Sequence, residues 1–294
     1  MTNPALQVSH LTKTYPEFRL ENVSFEVQAG TCTALIGENG SGKSTIIRCL
    51  TGESVPESGE ILFYGHNPKK EISAHALIGF CSDHLMFPEM FTPGQVSELF
   101  SRLYAGWDAR GFEDFLAAQN ISMKQTLKKM SRGMKAKVSL AAALHHNAPL
   151  LLLDEATSGL DPVVREEMLD SLQEYMEDEN RSILITSHIS SDLERIADNI
   201  ILIADGKIVL QGVKDDLLNR LMMAHLKEDQ LELVDPQLIM GIRRQPLFAD
   251  VLIRDKEDFL ARYPDYDWDP IRLDDLVLMF SDKADHQPQK GKRV

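Results

Sequence analysis

Residues 37–45 read Gly37-Glu38-Asn39-Gly40-Ser41-Gly42-Lys43-Ser44-Thr45. This is the pattern G-x-x-x-x-G-K-[ST] of a loop that cradles phosphate groups. Each residue type has a chemical reason. Gly37, Gly40 and Gly42 let the backbone turn tightly and approach phosphate oxygens. Amides at the start of the following helix favour an anion. Lys43 can neutralise outer phosphates, and the Ser44 hydroxyl can ligate magnesium. About a hundred residues on, Asp154-Glu155 closes an apolar run. An aspartate there can hold magnesium, usually through water. The second carboxylate can orient or deprotonate an attacking water. Adjacent acids after a strand more often cap a helix; it is the loop upstream that favours the chemical reading. His188 follows a third apolar run; alone it would read as an ordinary surface or core histidine, and its place after a buried strand downstream of Asp154-Glu155 favours a catalytic role.

These groups need strands that end beside them. Thr33–Ile36 is a short apolar strand running straight into the loop, and Thr45–Leu50 reads as the helix behind it. Leu150-Leu151-Leu152-Leu153 has no polar alternation, as in a parallel strand buried on both faces. Ser182–Thr186 reads the same way. Val23, Phe25 and Val27 instead alternate with polar residues, so about 6–27 reads as half-buried strands. Asp161 can cap a helix that Pro162 opens, with Val164, Met168, Leu172, Tyr175 and Met176 as its stripe. Asp205-Gly206 between Ile200–Ala204 and Lys207–Leu210 predicts a two-residue hairpin. About 89–129 reads as mostly helical, with Val96, Leu99, Phe100 and Leu103 three and four apart. From Lys214 the character changes: Leu217–Leu226 reads as helix and Gln230–Val234 as extended. Residues 285–294 read as a disordered tail.

The 294 residues carry a formal net charge of -14, which argues against a general nucleic-acid binder. Cys32, Cys49 and Cys81 make no metal-ligand spacing and read as reduced thiols. The N-terminus has no signal-peptide pattern, and no run reaches the roughly 18 apolar residues of a spanning helix. Any membrane part of its task would fall to another chain.

In this order and context the motifs closely resemble those of ABC-type ATPases over about residues 4–213. Gly37–Thr45 stands as Walker A, Leu150–Glu155 as Walker B, Ser158–Asp161 as the D-loop and His188 as the switch histidine. Tyr15 stands where the family places an adenine-stacking aromatic. Met130-Ser131-Arg132-Gly133-Met134 stands for the signature LSGGQ. The resemblance implies an α/β fold of the P-loop NTPase class, ABC type: a mixed sheet core, an antiparallel β subdomain and a helical subdomain at about 84–140. Residues 214–284 would be a small C-terminal addition of unassigned role.

The resemblance also implies ATP and Mg2+, and a head-to-tail pair of ATPase subunits, either a homodimer or a pair of close paralogues. Ser131 and Gly133 of one chain would meet the γ-phosphate held by the other chain's Walker A loop. Glu155 would be the general base, and His188 would link it to the γ-phosphate. Lys124, Lys128, Lys129, Arg132, Lys135 and Lys137 form a basic run around the signature, a solvated face or a field toward that triphosphate. Asp83 stands where many members have glutamine. It either keeps a metal-sensing or coupling role or only caps its loop. The signature's S-x-G-M form and Ile271–Leu276 resemble the bacterial drug- and antibiotic-export branch, with its bacitracin-exporter-like and YtrB-like ATPases. The implied role is the ATPase of an exporter, peripheral on the cytoplasmic face of a bacterial membrane and driving a separate permease. The alternative is a soluble ABC ATPase that never transports, such as an iron–sulfur assembly type.

Overall fold

The structure is a computed structural model that describes residues 3–281; the tail expected at 285–294 lies outside it. Strands β1 (Leu6–Tyr15) and β2 (Phe18–Val27) form a hairpin, and β3 (Cys32–Ile36) leads through the glycine-rich loop into α1 (Lys43–Leu50). Next come β4 (Ser58–Phe63), β5 (Ile78–Ser82), α2 (Pro93–Leu103), α3 (Ala109–Ala118) and α4 (Arg132–His145). The second half of the core is β6 (Leu150–Asp154), α5 (Pro162–Tyr175), β7 (Ser182–Thr186), α6 (Ser190–Ile196), β8 (Asn199–Ala204) and β9 (Lys207–Val213). The chain continues with α7 (Lys214–Arg220), β10 (Met222–Leu226), α8 (Glu228–Leu231), β11 (Ile239–Arg244), β12 (Ala249–Ile253), α9 (Lys256–Arg262), β13 (Trp268–Pro270) and α10 (Leu273–Met279).

The central sheet has the order β5-β6-β7-β3-β8-β9. It is parallel except for β9, which returns antiparallel to β8. Its apolar runs are explained by cover on both faces. Alternate residues Leu35, Leu150, Leu152, Leu184, Ile201 and Ile203 pack with α1 and the antiparallel sheet β2-β1-β4. The residues between them, Ala34, Ile36, Leu151, Leu153, Ile183, Ile185, Ile200 and Leu202, pack on the other face with α4 and α5. Each buried leucine stabilises the fold by roughly 1.5–3 kcal/mol, so the four of β6 fix the strand that carries Asp154. Asp205 and Gly206, at φ 46° and 71°, make the β8–β9 turn with both central residues left-handed.

Helices α2 and α3 pack with one face of α4 around Val96, Phe112, Leu116, Leu127, Met130 and Val138, while the other face of α4, through Leu140, Ala143 and Leu144, belongs to the main core. The stretch expected to be mostly helical is thus two helices with loops around them. Thr92 starts α2 with a reciprocal capping box to Gln95. Ser131 caps α4, accepting from the Met134 amide at 3.2 Å. Asp161 caps α5, accepting from the Val163 and Val164 amides.

The C-terminal region differs from the sequence reading. Leu217–Leu226 is not one helix: α7 ends at Arg220 and Met222–Leu226 is a strand. Gln230–Val234 is not extended, because α8 runs to Leu231 and a turn follows. Strand β10 is central in an antiparallel sheet of order β11-β12-β10-β13, and its Met, Ala and Leu residues are strong helix formers overridden by pairing and burial. One face of that sheet packs within the region, through Met222, Ala224, Val251, Ile253 and Phe259. The other joins the main core through Met223 and Leu252, beside Leu273, Leu276 and Met279. No helix among the described residues is long and apolar enough to cross a membrane.

Candidate active site

The carboxyl ends of β3, β6 and β7 meet at one cavity of about 560 Å³. Its lining includes Tyr15, Phe18, Asn39, Gly40, Gly42, Lys43, Ser44, Thr45, Asp83, Glu155 and His188. The loop therefore faces the carboxylate, the histidine and an aromatic edge across one space. Gly37, Glu38 and Ser41 lie on the loop's other side, where Val277 and Phe280 of the C-terminal region also line a smaller cavity. Gly37 has a packing reason for its lack of a side chain: a Cβ there would lie 2.2 Å from the Ile203 carbonyl oxygen.

Lys43 is only 6% exposed, and its Nζ donates to the Gly37 and Glu38 carbonyls at 2.8 and 3.1 Å. Burial pushes its pKa down, while Glu155, Asp154 and Glu38 pull it back up. The ammonium thus sits under the loop, desolvated and beside negative charge. Asp154 closes β6 and accepts from the Thr186 hydroxyl at 2.6 Å. Burial raises its pKa, the Thr186 bond opposes that rise, and the charges of Glu155 and Asp83 add to it.

Glu155 has φ 54°, a left-handed conformation that is costly for a residue with a side chain. The strand beside it holds it there: its amide donates to the Thr186 carbonyl and hydroxyl, both at 3.1 Å. Its carboxylate meets His188 twice, at Nδ1 (2.5 Å) and at the backbone amide (3.3 Å). The next residues are anchored as well. The Ser158 amide donates to the Glu155 carbonyl at 2.9 Å, and the Thr157 hydroxyl donates to the buried Asp192 at 2.8 Å.

Asp83 follows β5 beside Asp154, its amide donating to the Asp154 carbonyl at 3.2 Å. Tyr15 closes β1, its hydroxyl 3.1 Å from Ser54 and its ring 5.4 Å from the Lys13 ammonium. Ser131 and Gly133 do not line the cavity. They sit at the start of α4, where a Cβ on Gly133 would lie 3.2 Å from Val164. The basic run is partly paired within the chain, Lys135 with Glu89 and Lys137 with Glu167. Two residues of the site were not anticipated. Phe18 lines both cavities, and Thr186 holds Asp154 and Glu155 together. The position of Thr186 at the end of a buried strand beside β6 was the available signal.

The cavity can take a polyphosphate on the loop, with a flat base against the Tyr15 edge. The Ser44 hydroxyl and Asp83 carboxylate of its lining, with the Asp154 carboxylate beside them at the end of β6 but outside the lining, suit a hard cation such as magnesium held together with substrate phosphates. Among the described residues, no group of three or more His, Cys, Asp and Glu side chains could hold a metal alone.

Comparison with known proteins agrees with this geometry. The family profile for ABC transporters matches residues 20–158. The ABC transporter ATP-binding protein YtrB of Bacillus subtilis is 28% identical over 88% of this chain and 91% of its own length. Daunorubicin resistance ATP-binding protein DrrA3 of Streptomyces coeruleorubidus is 31% identical over 74% of this chain and 71% of its own. Relatives of similar identity are named for import, as a phosphonates import ATP-binding protein, and for export, as a Nod factor export ATP-binding protein. A solved structure titled as the ATP-binding subunit of an ABC transporter superposes with a TM-score of 0.66 at 27% identity, covering 73% of this chain and 92% of that one. Sequence, fold and site agree: the chain belongs to the ATP-binding proteins of the ABC transporter family and is an ATPase.

Proposed function

We propose that this chain is the ATPase of an exporter, working as a pair of ATPase subunits on the cytoplasmic face of a bacterial membrane and driving a separate permease. The observation that carries the ATPase chemistry is the cavity shared by Lys43, Ser44 and the Glu155–His188 pair; export is supported by the likeness to Nod factor export and drug-resistance ATP-binding proteins. Lys43 and the loop residues 37–45 hold the triphosphate, and Tyr15 stacks on the base. Glu155 takes the proton of the attacking water, and His188 orients that carboxylate. Ser44 and Asp154 hold magnesium, which when bound offsets charge on the phosphates. Ser131 and Gly133 do not line their own chain's cavity, which supports their completing a second subunit's site. Residues 4–213 form the ATPase domain and 214–284 a C-terminal addition.

Asp83 lines the cavity next to Asp154 and is assigned to sensing the metal. Asp83→Ala is expected to lower the ATPase rate and to raise the magnesium concentration at half-maximal rate. Turnover and magnesium dependence both matching the unmodified chain would limit Asp83 to shaping its loop.

The permease docks on the helical unit. Met86, Met90, Leu99 and Leu103 are large apolar side chains left exposed there, with Leu103 62% accessible. Grouped exposed apolar side chains mark contact surfaces. Leu99→Asp with Leu103→Asp is expected to reduce co-purification with a membrane protein by about tenfold or more, while ATP binding is kept. Undiminished recovery of the same membrane partner would remove this surface from the interface. Energised vesicles carrying the recovered complex then test direction: ATP-dependent movement of substrate away from the ATPase side supports export.

A further inference from the structure

Arg132 stands in the signature segment, at the first position of α4, where the family pattern has glycine. Its guanidinium does not point into solvent alone. It donates to the Ser158 carbonyl at 2.7 Å, reaching 26 residues along the chain from the helical unit to the loop after Glu155. It also lies close against Gly159, where a Cβ would fall 2.4 Å from Nη1 and 2.7 Å from Cζ. Gly159 has φ 63°, so a glycine there serves both the turn and the seat of the arginine. Ser158 lines the nucleotide cavity, and its amide closes the turn that begins at the Glu155 carbonyl.

We propose that Arg132 is a positioning residue for ATP hydrolysis: it latches the helical unit to the Ser158–Gly159 turn and thereby fixes the loop that carries Glu155. The proposal rests on Glu155 acting as the base. The loop has two other anchors, Thr157 to Asp192 and the capped start of α5, and both belong to the core. Arg132 ties the same loop to α4, so a movement of the helical unit is felt at Ser158. A guanidinium suits this role, because its pre-organised fork donates to the Ser158 carbonyl while the rest of the group fills the space beside Gly159. A lysine can supply the donor but not the filling. Arg132 acts through the loop and not on the nucleotide, so its loss should slow turnover without weakening ATP binding.

The test is steady-state ATPase activity of the full chain carrying Arg132→Gly or Arg132→Lys, with the melting temperature of each. Arg132→Gly is expected to lower kcat about tenfold, the scale of a slightly misplaced reacting group, with KM for ATP and melting temperature unchanged. Arg132→Lys should recover a large part of kcat. The proposal is overturned if Arg132→Gly keeps full kcat, if KM rises while kcat holds, if Arg132→Lys is no better than glycine, or if the loss of activity merely follows a lowered melting temperature. Glu155→Gln run alongside separates the two ideas. Full turnover in Glu155→Gln removes the base assignment, whereas loss there with normal Arg132→Gly removes only the latch.

Discussion

Glu155→Gln should bind ATP normally and hydrolyse it at a rate lower by about two to four powers of ten, the range for removing a positioned general base. The substitution keeps the shape of the side chain. Its amide oxygen can still accept from the His188 amide and ring, the two contacts the carboxylate makes now. The backbone stays in its left-handed conformation, held by Thr186 from the neighbouring strand. What disappears is the basic oxygen that would take a proton from water. Binding depends on Lys43 and the loop, which the change does not touch. ATP should therefore accumulate uncleaved and hold two subunits together. Phosphate release measures the first effect, and size-exclusion chromatography with ATP and magnesium the second. Turnover at the normal rate would remove Glu155 as the base, whatever the oligomeric state.

Lys43→Ala should weaken ATP binding by roughly 10- to 150-fold, the range of a charge-assisted hydrogen bond of about 1.5–3 kcal/mol. Lys43 is buried under the loop between two backbone carbonyls, with Asp154, Glu155 and Glu38 nearby. Its ammonium is the countercharge for that acidic surround. Without it, a triphosphate would enter a site whose fixed charges are carboxylates. The loop also loses the two bonds that draw the Gly37 and Glu38 carbonyls inward. Titration calorimetry with ATP and magnesium reads the affinity, and an unchanged dissociation constant would contradict the placement of phosphate on this loop.

Much of the core is legible in the sequence because its signals are local. Four leucines ending in Asp-Glu mark a parallel strand that delivers carboxylates, and Asp205-Gly206 marks a turn that few other residues could make. The phosphate loop carries its own geometry in its glycines. The C-terminal region is not legible in this way. Met222–Leu226 becomes a strand through pairing with β12 and β13, tens of residues later in the chain, and nothing within the segment opposes a helix. Phe18 is an ordinary strand aromatic until the hairpin folds it beside the loop. The contact of Arg132 with Ser158 spans two structural units, so the sequence shows a changed signature residue but not its partner.

The C-terminal sheet turns one face inward on itself and the other onto the ATPase core, where Met223, Leu252, Leu273, Leu276 and Met279 lie in the same cluster as Leu151 and Leu153 of β6. The two parts share this one apolar cluster. They are expected to melt as a single cooperative unit in calorimetry, and a chain cut after β9 would be left with a bare apolar face. Free energy gained when ATP binds to the loop is shared with a sheet that never touches the nucleotide. By the same linkage, a cavity opened around Met223 or Leu276 would destabilise the strand that presents Asp154 and Glu155.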